Sequence, residues 1–199
     1  FGYSIGMRTT TIKPDCTSDR LERSLLKGIA RGDRDAFDEI FRRYHPQLFR
    51  FAYRLTSSYG LAEEVANDVL VTVWQSAVNF RGDARVSTWI FGIAYRCSLK
   101  GIRRKKYTLV ALSDSHLVDH RADNNIERDE WLGRAIDKLP TKQKLTVMLV
   151  YFAGLTCEET AEATNVPVGT VRTRMFHARK KLQRSLEESA VPTREQRIL

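Results

Sequence analysis

In VPVGTVRTRMFHARKKL, residues 166–182, a phenylalanine stands where a soluble helix ordinarily faces water. On a helical wheel Val168, Val171, Met175, Ala178 and Leu182 form one apolar stripe at spacings of three and four, which is a packing face. Phe176 projects from the opposite side with Gly169, Thr173, His177 and Lys180, and Arg172 and Arg174 flank it. A ring among cations on an exposed face suits a DNA major groove, where thymine's methyl offers apolar contact and guanidinium groups serve guanine or phosphate. Thr170, Arg172, Thr173, Arg174, Phe176, His177 and Lys180 are the candidate duplex-reading set.

A second set lies in NFRGDARVSTWIFGIAYRCSLKGIRRKKY, residues 79–107. Helical spacing puts Val86, Ile90, Ile93, Ala94 and Cys97 on an inward stripe, and Trp89, Arg96, Lys100 and Arg103 on another side. Aromatics between cations make a platform for unstacked bases, each worth about 1–3 kcal/mol of stacking. Phe80, Arg81 and Gly82, in the loop just before, suit a flipped base. Trp89 taken alone fits a core position equally well. A third set has the opposite sign: Glu63, Glu64 and Asp68 share the polar face of one helix, which suits a basic protein partner or simple solvation.

The elements that must carry these residues read as helical nearly throughout, since no stretch alternates long enough to argue a strand. The fold expected is all-α, two small helical domains joined by a flexible linker, the second holding a helix-turn-helix. Residues 1–19 are set aside as an unordered or foreign leader, because Phe1 is no initiator and Met7 is the candidate natural start, leaving residues 1–6 in question. The first domain covers 20–106: a short helix ending at Gly32-Asp33, a long one in which Pro46 should kink or divide the chain, a third from about Leu61 to Val78, and a fourth from about Ser87 to Arg104. Ser, Asp, Asn and His accumulate over 107–128 and periodicity fails, as in a linker. The second domain covers 129–188, and 189–199 reads as a tail.

LTCEETAEATNVPVGTV, in the second domain, predicts its own geometry. Thr156 and Glu159 form a capping box worth roughly 1 kcal/mol, Asn165 tolerates the left-handed turn, and Pro167 suits the first turn of the next helix. Ala161 and Val171 bracket the turn as in a DNA-binding helix-turn-helix, although the spacing alone also fits an ordinary helical hairpin.

Composition agrees with a polyanionic partner. Thirty-three Lys and Arg against 24 Asp and Glu give the 199-residue chain a net charge of +9 and a pI near 9.7. No apolar run approaches the ~18 residues of a membrane span. Cys16, Cys97 and Cys157 form no paired motif, which argues against a disulfide framework or a zinc site and for a cytoplasmic protein. Nucleotide-binding and metalloprotease signatures are absent, and His45, His116, His120 and His177 stand in unrelated settings, so an enzyme is not indicated.

GDRDAFDEIFRRYHPQLFRFAYRL, AEEVANDVLVTVW, FRGDARVSTWIFGIA and the helix-turn-helix stretch together resemble bacterial RNA polymerase sigma factors of the extracytoplasmic function (ECF) group, over about residues 22–187. The resemblance implies a sigma factor that binds core RNA polymerase and directs promoter-specific initiation, melting the minus-10 element. Carried over, Glu63, Glu64 and Asp68 would engage the clamp of the largest polymerase subunits, with the flap a further contact. Phe80 to Val86, Asp83 included, with Trp89 and Arg96, would capture a flipped minus-10 base. Arg172, Thr173, Phe176 and His177 would read the minus-35 element, and the linker would thread toward the active cleft and RNA exit path. A membrane-bound anti-sigma factor is a further implied partner; no cofactor, metal, catalytic residue or small-molecule substrate is implied. The chain departs from many relatives in carrying Arg96 for asparagine, Lys100 near a usual aspartate and His177 for arginine. The rival is a stand-alone helix-turn-helix regulator on duplex operators, which would leave the aromatic-basic and acidic segments unexplained. On a promoter the two DNA faces would stand apart by a spacer of about a dozen or more base pairs.

Overall fold

The structure, a computed structural model, describes residues 16–111 and 133–190, with side chains over 18–104 and 133–185. Every element among the described residues is helical. Helix α1, Cys16–Ile29, begins inside the segment set aside as a leader, so Asp19 belongs to the fold. Its apolar residues Leu26 and Ile29 are buried, and the Tyr44 hydroxyl donates to Glu22 at 2.9 Å, which docks α1 on α2. Gly32, at φ +87°, makes the turn, and the Asp33 carboxylate accepts the Ala36 amide to start α2, Arg34–Thr56.

Pro46 does not divide α2, which runs 23 residues without a break. A proline removes one ladder bond and crowds the preceding turn. Here Ile40 and Tyr44 before it, and Leu48, Phe51 and Leu55 after it, are all buried on one face, and that packing holds the helix through the defect. Helix α3, Tyr59–Ser76, ends in a 3-10 turn at Ala77–Asn79. Helix α4, Val86–Ala111, continues past both the expected end at Arg104 and the expected linker start at 107; the remainder of that linker lies outside the described residues.

In the second block, helical backbone at 133–137 (α5) breaks before Pro140, and α6, Thr141–Val147, runs into a π-helical turn at Met148–Phe152. Gly154, at φ +70°, turns the chain into α7, Cys157–Thr164, and α8, Val168–Ala190.

The two blocks share a core. Leu145, Met148, Leu149, Leu155 and Ala163 join the apolar cluster built by α1 to α4, while Leu139, Val147, Ala161, Val171, Met175 and Ala178 form a smaller cluster under α8. Gly92 of α4 is a point of close approach: a Cβ there would lie 3.1 Å from the Ala163 carbonyl oxygen of α7. Polar contacts cross the same boundary. The Lys144 ammonium donates to the Leu55 carbonyl at 3.1 Å, near the end of α2, and to Asp137 at 2.6 Å, and the Arg54 guanidinium lies 4.5 Å from the Phe152 ring centre. This closed arrangement differs from the separated faces expected from the resemblance.

Candidate nucleic-acid interface

The helix-turn-helix forms by local chemistry. Thr156 accepts the Glu159 amide at 3.0 Å, and the Glu159 carboxylate accepts the Thr156 amide at 2.8 Å, which satisfies two otherwise orphaned donors at the start of α7. Asn165 is left-handed at φ 53°, and the Val166 amide donates to the Ala161 carbonyl at 3.1 Å, closing the helix end. Pro167 sits one residue ahead of α8, not within its first turn, and its carbonyl accepts the Thr170 and Val171 amides. Val171, Met175 and Ala178 are buried, with Val168 and Leu182 packed beside them.

On the far side of α8, Phe176 is 64% exposed, with the His177 ring edge-on at 5.5 Å. Thr173 and Lys180 are exposed, Thr170 and Arg174 half-buried. The Thr173 hydroxyl donates to the Gly169 carbonyl at 2.8 Å. Arg172 is exposed but engaged: it donates to the Glu158 carboxylate at 2.8 Å. The Glu158 carboxyl is held below its ordinary range, by its own backbone amide first and then by Arg172. If this face meets DNA, Arg172 would have to exchange that carboxylate for a base or phosphate.

The second face gathers around the loop before α4. The Phe80 and Trp89 rings lie 5.2 Å apart at 54°, both half-buried against the core, so Trp89 is at once a packing residue and one wall of a shelf. Arg81 and Asp83 are exposed, and Gly82 adopts φ +82°, a conformation glycine supplies at little cost. Arg96 and Arg103 are exposed on the same side of α4. Lys100, also exposed, lines the groove between α3 and α4 with Glu64, Asp68 and Cys97, so the structure places it beside the acidic helix. Burial raises the Cys97 thiol pKa. Gly92 lies about 60° around α4 from Trp89, so α7 borders the shelf. Arg85, in the loop, reaches the capping-box carboxylate of Glu159 at 3.3 Å and ties the two candidate faces together.

Two residues outside the sequence-derived sets hold this loop. Arg23 of α1 donates to the Gly82 and Ala84 carbonyls at 2.7 and 2.8 Å and pairs with Asp19 at 2.7 Å, and its guanidinium lies 5.7 Å from the Phe80 ring centre. Asp19 in turn accepts the Val86 amide at 2.9 Å, at the start of α4. Burial pushes the Asp19 carboxyl up, but the Arg23 hydrogen bond, the Val86 amide and the charges of Arg23 and Arg85 outweigh it and hold the group below its usual value. The spacing of Asp19 and Arg23 is legible as an i,i+4 ion pair; their targets some 60 residues away are not.

The acidic helix is partly engaged within the chain. Glu63 lies 3.1 Å from His45, Glu64 pairs with Arg104, and Asp68 is exposed. Val71, Trp74 and Val78 add exposed apolar surface along or just beyond α3. Among the described residues no group of His, Cys, Asp and Glu could hold a metal ion, and no helix is long and apolar enough to cross a membrane.

Residues 40–108 match the family model Sigma-70 region 2, and residues 129–182 match Sigma-70, region 4. The chain is 36% identical over 170 residues to the ECF RNA polymerase sigma factor SigM of Mycobacterium tuberculosis, covering 84% of this chain and 86% of that protein. The chain belongs to the ECF sigma factors. Another relative is the ECF RNA polymerase sigma factor RpoE of Cereibacter sphaeroides, 34% identical over 85% of this chain and 97% of that one. The fold resembles the sigma factor RpoE of Bartonella quintana, solved with the anti-sigma factor NepR, at a TM-score of 0.64 and 22% identity, over 76% of this chain and 96% of that one. This sigma factor is therefore a promoter-recognising initiation factor that binds core RNA polymerase and promoter DNA. A stand-alone helix-turn-helix regulator is not favoured, because it leaves the region 2 match unexplained.

Proposed function

We propose that this sigma factor reads the minus-35 duplex with Thr170, Arg172, Thr173, Arg174, Phe176, His177 and Lys180, and captures the melted minus-10 strand on Phe80, Arg81, Gly82, Asp83, Trp89, Arg96 and Arg103. Lys100 belongs to the same basic side but works next to Glu63, Glu64 and Asp68, the residues that meet the polymerase clamp. Region 2 spans about residues 20–106 and region 4 about 129–188. The protein acts by binding in the cytoplasm, without covalent chemistry of its own. An anti-sigma factor, membrane-bound as the family resemblance implies, holds it when initiation is not required; the NepR complex of the Bartonella protein supports an anti-sigma partner by analogy.

The observation that carries this reading is Phe176, 64% exposed on the cationic side of α8 while Val171, at 0%, marks the buried side. A hydrophobic ring kept in water opposite a complete packing stripe is a contact waiting for a partner, and the partner's surface must also accept Arg172 and Lys180. The test is transcription from a promoter library by purified core polymerase with and without the protein, followed by sequencing of transcript starts. Initiation at sites sharing one minus-35 and one minus-10 element, weakened with Phe176→Ala or Phe80→Ala, is the expected result. Factor-dependent starts that both variants reproduce fully would overturn these assignments.

A further inference from the structure

We propose that Arg23 and Asp19 of α1 are positioning residues for strand capture: together they brace the loop from Phe80 to Val86 in the shape that accepts an unstacked base. The proposal rests on the reading of that loop given above and adds a helix to it, since α1 precedes the matched region 2 segment at residues 40–108.

Residues 81–84 lie outside any helix or strand, and ordering such a stretch costs about 1–2 kcal/mol per residue in conformational entropy. Something outside the loop must hold it, and Arg23 does so at three points. Its two terminal nitrogens bond the Gly82 and Ala84 carbonyls, its Nε is fixed by Asp19, and its Cζ lies over the Phe80 ring, 5.7 Å from the ring centre. The second Asp19 oxygen accepts the Val86 amide, so one ion pair sets the Phe80 ring, the middle of the loop and the first turn of α4, from which Trp89 projects. Gly82 belongs to the same device: a Cβ there would stand 2.8 Å from an Arg23 terminal nitrogen, so the fork requires the bare backbone at 82.

The fork geometry matters. Three separate guanidinium nitrogens each meet an oxygen, an arrangement a lysine ammonium cannot span from a single point. The pair is also anchored: α1 is docked through buried Leu26 and Ile29, so the brace transmits from a rigid element. Neither carboxylate nor guanidinium needs to touch a base. Their effect is on the fraction of loops already shaped for capture, and apparent affinity scales with that fraction.

The experiment uses the full chain with core polymerase and a single-stranded non-template minus-10 oligonucleotide. A 2-aminopurine next to the captured position reports capture, and each of the four bases is placed in turn at that position. Arg23→Lys, which keeps the charge and loses the fork, should weaken capture about tenfold, the loss of one charge-assisted hydrogen bond. Preference among the four bases should flatten, while minus-35 duplex binding stays as in the parent protein and the urea unfolding midpoint falls only by the loss of the fork. A merely structural role would lower both DNA affinities in parallel and leave base preference unchanged. Asp19→Asn, which leaves the fork on its two carbonyls, should show a smaller loss of the same kind and carries the test if Arg23→Lys folds poorly. Parental base preference in either folded variant overturns the brace. Phe80→Ala separates the two readings: if it abolishes capture while Arg23→Lys and Asp19→Asn leave it intact, only the brace fails, and if Phe80→Ala leaves capture intact, loop and brace fail together.

Discussion

Replacing Phe176 with alanine separates recognition from folding because of where the ring stands. It is 64% exposed, whereas Val171 and Met175 on the other side of α8 are 0% and 3% exposed. Truncation should therefore change stability by no more than about 0.5 kcal/mol, as for surface substitutions generally. Fully burying a phenylalanine is worth about 1.5–3 kcal/mol, so a groove covering the exposed portion would gain roughly 1–2 kcal/mol, or about 5- to 30-fold in affinity. Fluorescence anisotropy on a labelled minus-35 duplex measures this, with urea unfolding as the control. The thymine contact is isolated by changing each thymine of the element to uracil, which removes only the C5 methyl. At one position the uracil change should weaken the parent protein and leave Phe176→Ala unaffected, the non-additivity expected of groups in direct contact. The reasoning is refuted if Phe176→Ala lowers stability by more than about 1.5 kcal/mol, or if every uracil duplex weakens parent and variant alike.

Three further outcomes follow from contacts already described. Glu158→Gln releases Arg172 from its carboxylate, so minus-35 affinity in the same anisotropy assay should rise several-fold, and a fall would show that the pair orients Arg172 for reading. The Asp19 carboxyl lies below its ordinary value of 3.8 in the folded protein, so its contribution to stability is complete above that value and is lost as pH falls through the lower folded one. Urea midpoints compared at about pH 6 and about pH 3 should drop less for Asp19→Asn than for the parent protein. Lys144→Ala leaves the Leu55 carbonyl, near the end of α2, without its ammonium donor, which should cost about 1–3 kcal/mol and expand the chain in small-angle scattering as the two blocks part; an unchanged radius of gyration would locate the closure elsewhere.

The closed arrangement bears on how the two proposed DNA faces would come into use. Arg85 joins the proposed capture loop to Glu159, and Gly92 brings α7 against the flank of the shelf that holds Trp89. Glu159 thus serves two ends at once, capping α7 and pairing with the loop.

What the amino-acid order determined by itself was local. The Thr156 and Glu159 capping box, the left-handed Asn165, the buried stripe from Val168 to Leu182 and the exposed Phe176 opposite it all depend on residues within four or so positions of one another. Helix geometry converts such spacing directly into faces and caps, so they are legible in a string of letters. The tertiary structure decided the rest. It carried α2 through Pro46 because burial on both sides outweighed one lost bond, and it turned Lys100 toward Glu64. It also chose Gly82 and Ala84 for Arg23, Glu159 for Arg85 and Leu55 for Lys144. Those partners lie 59 to 89 positions apart, where no periodicity links them, and only the packing of whole helices on a shared core brings their atoms within reach.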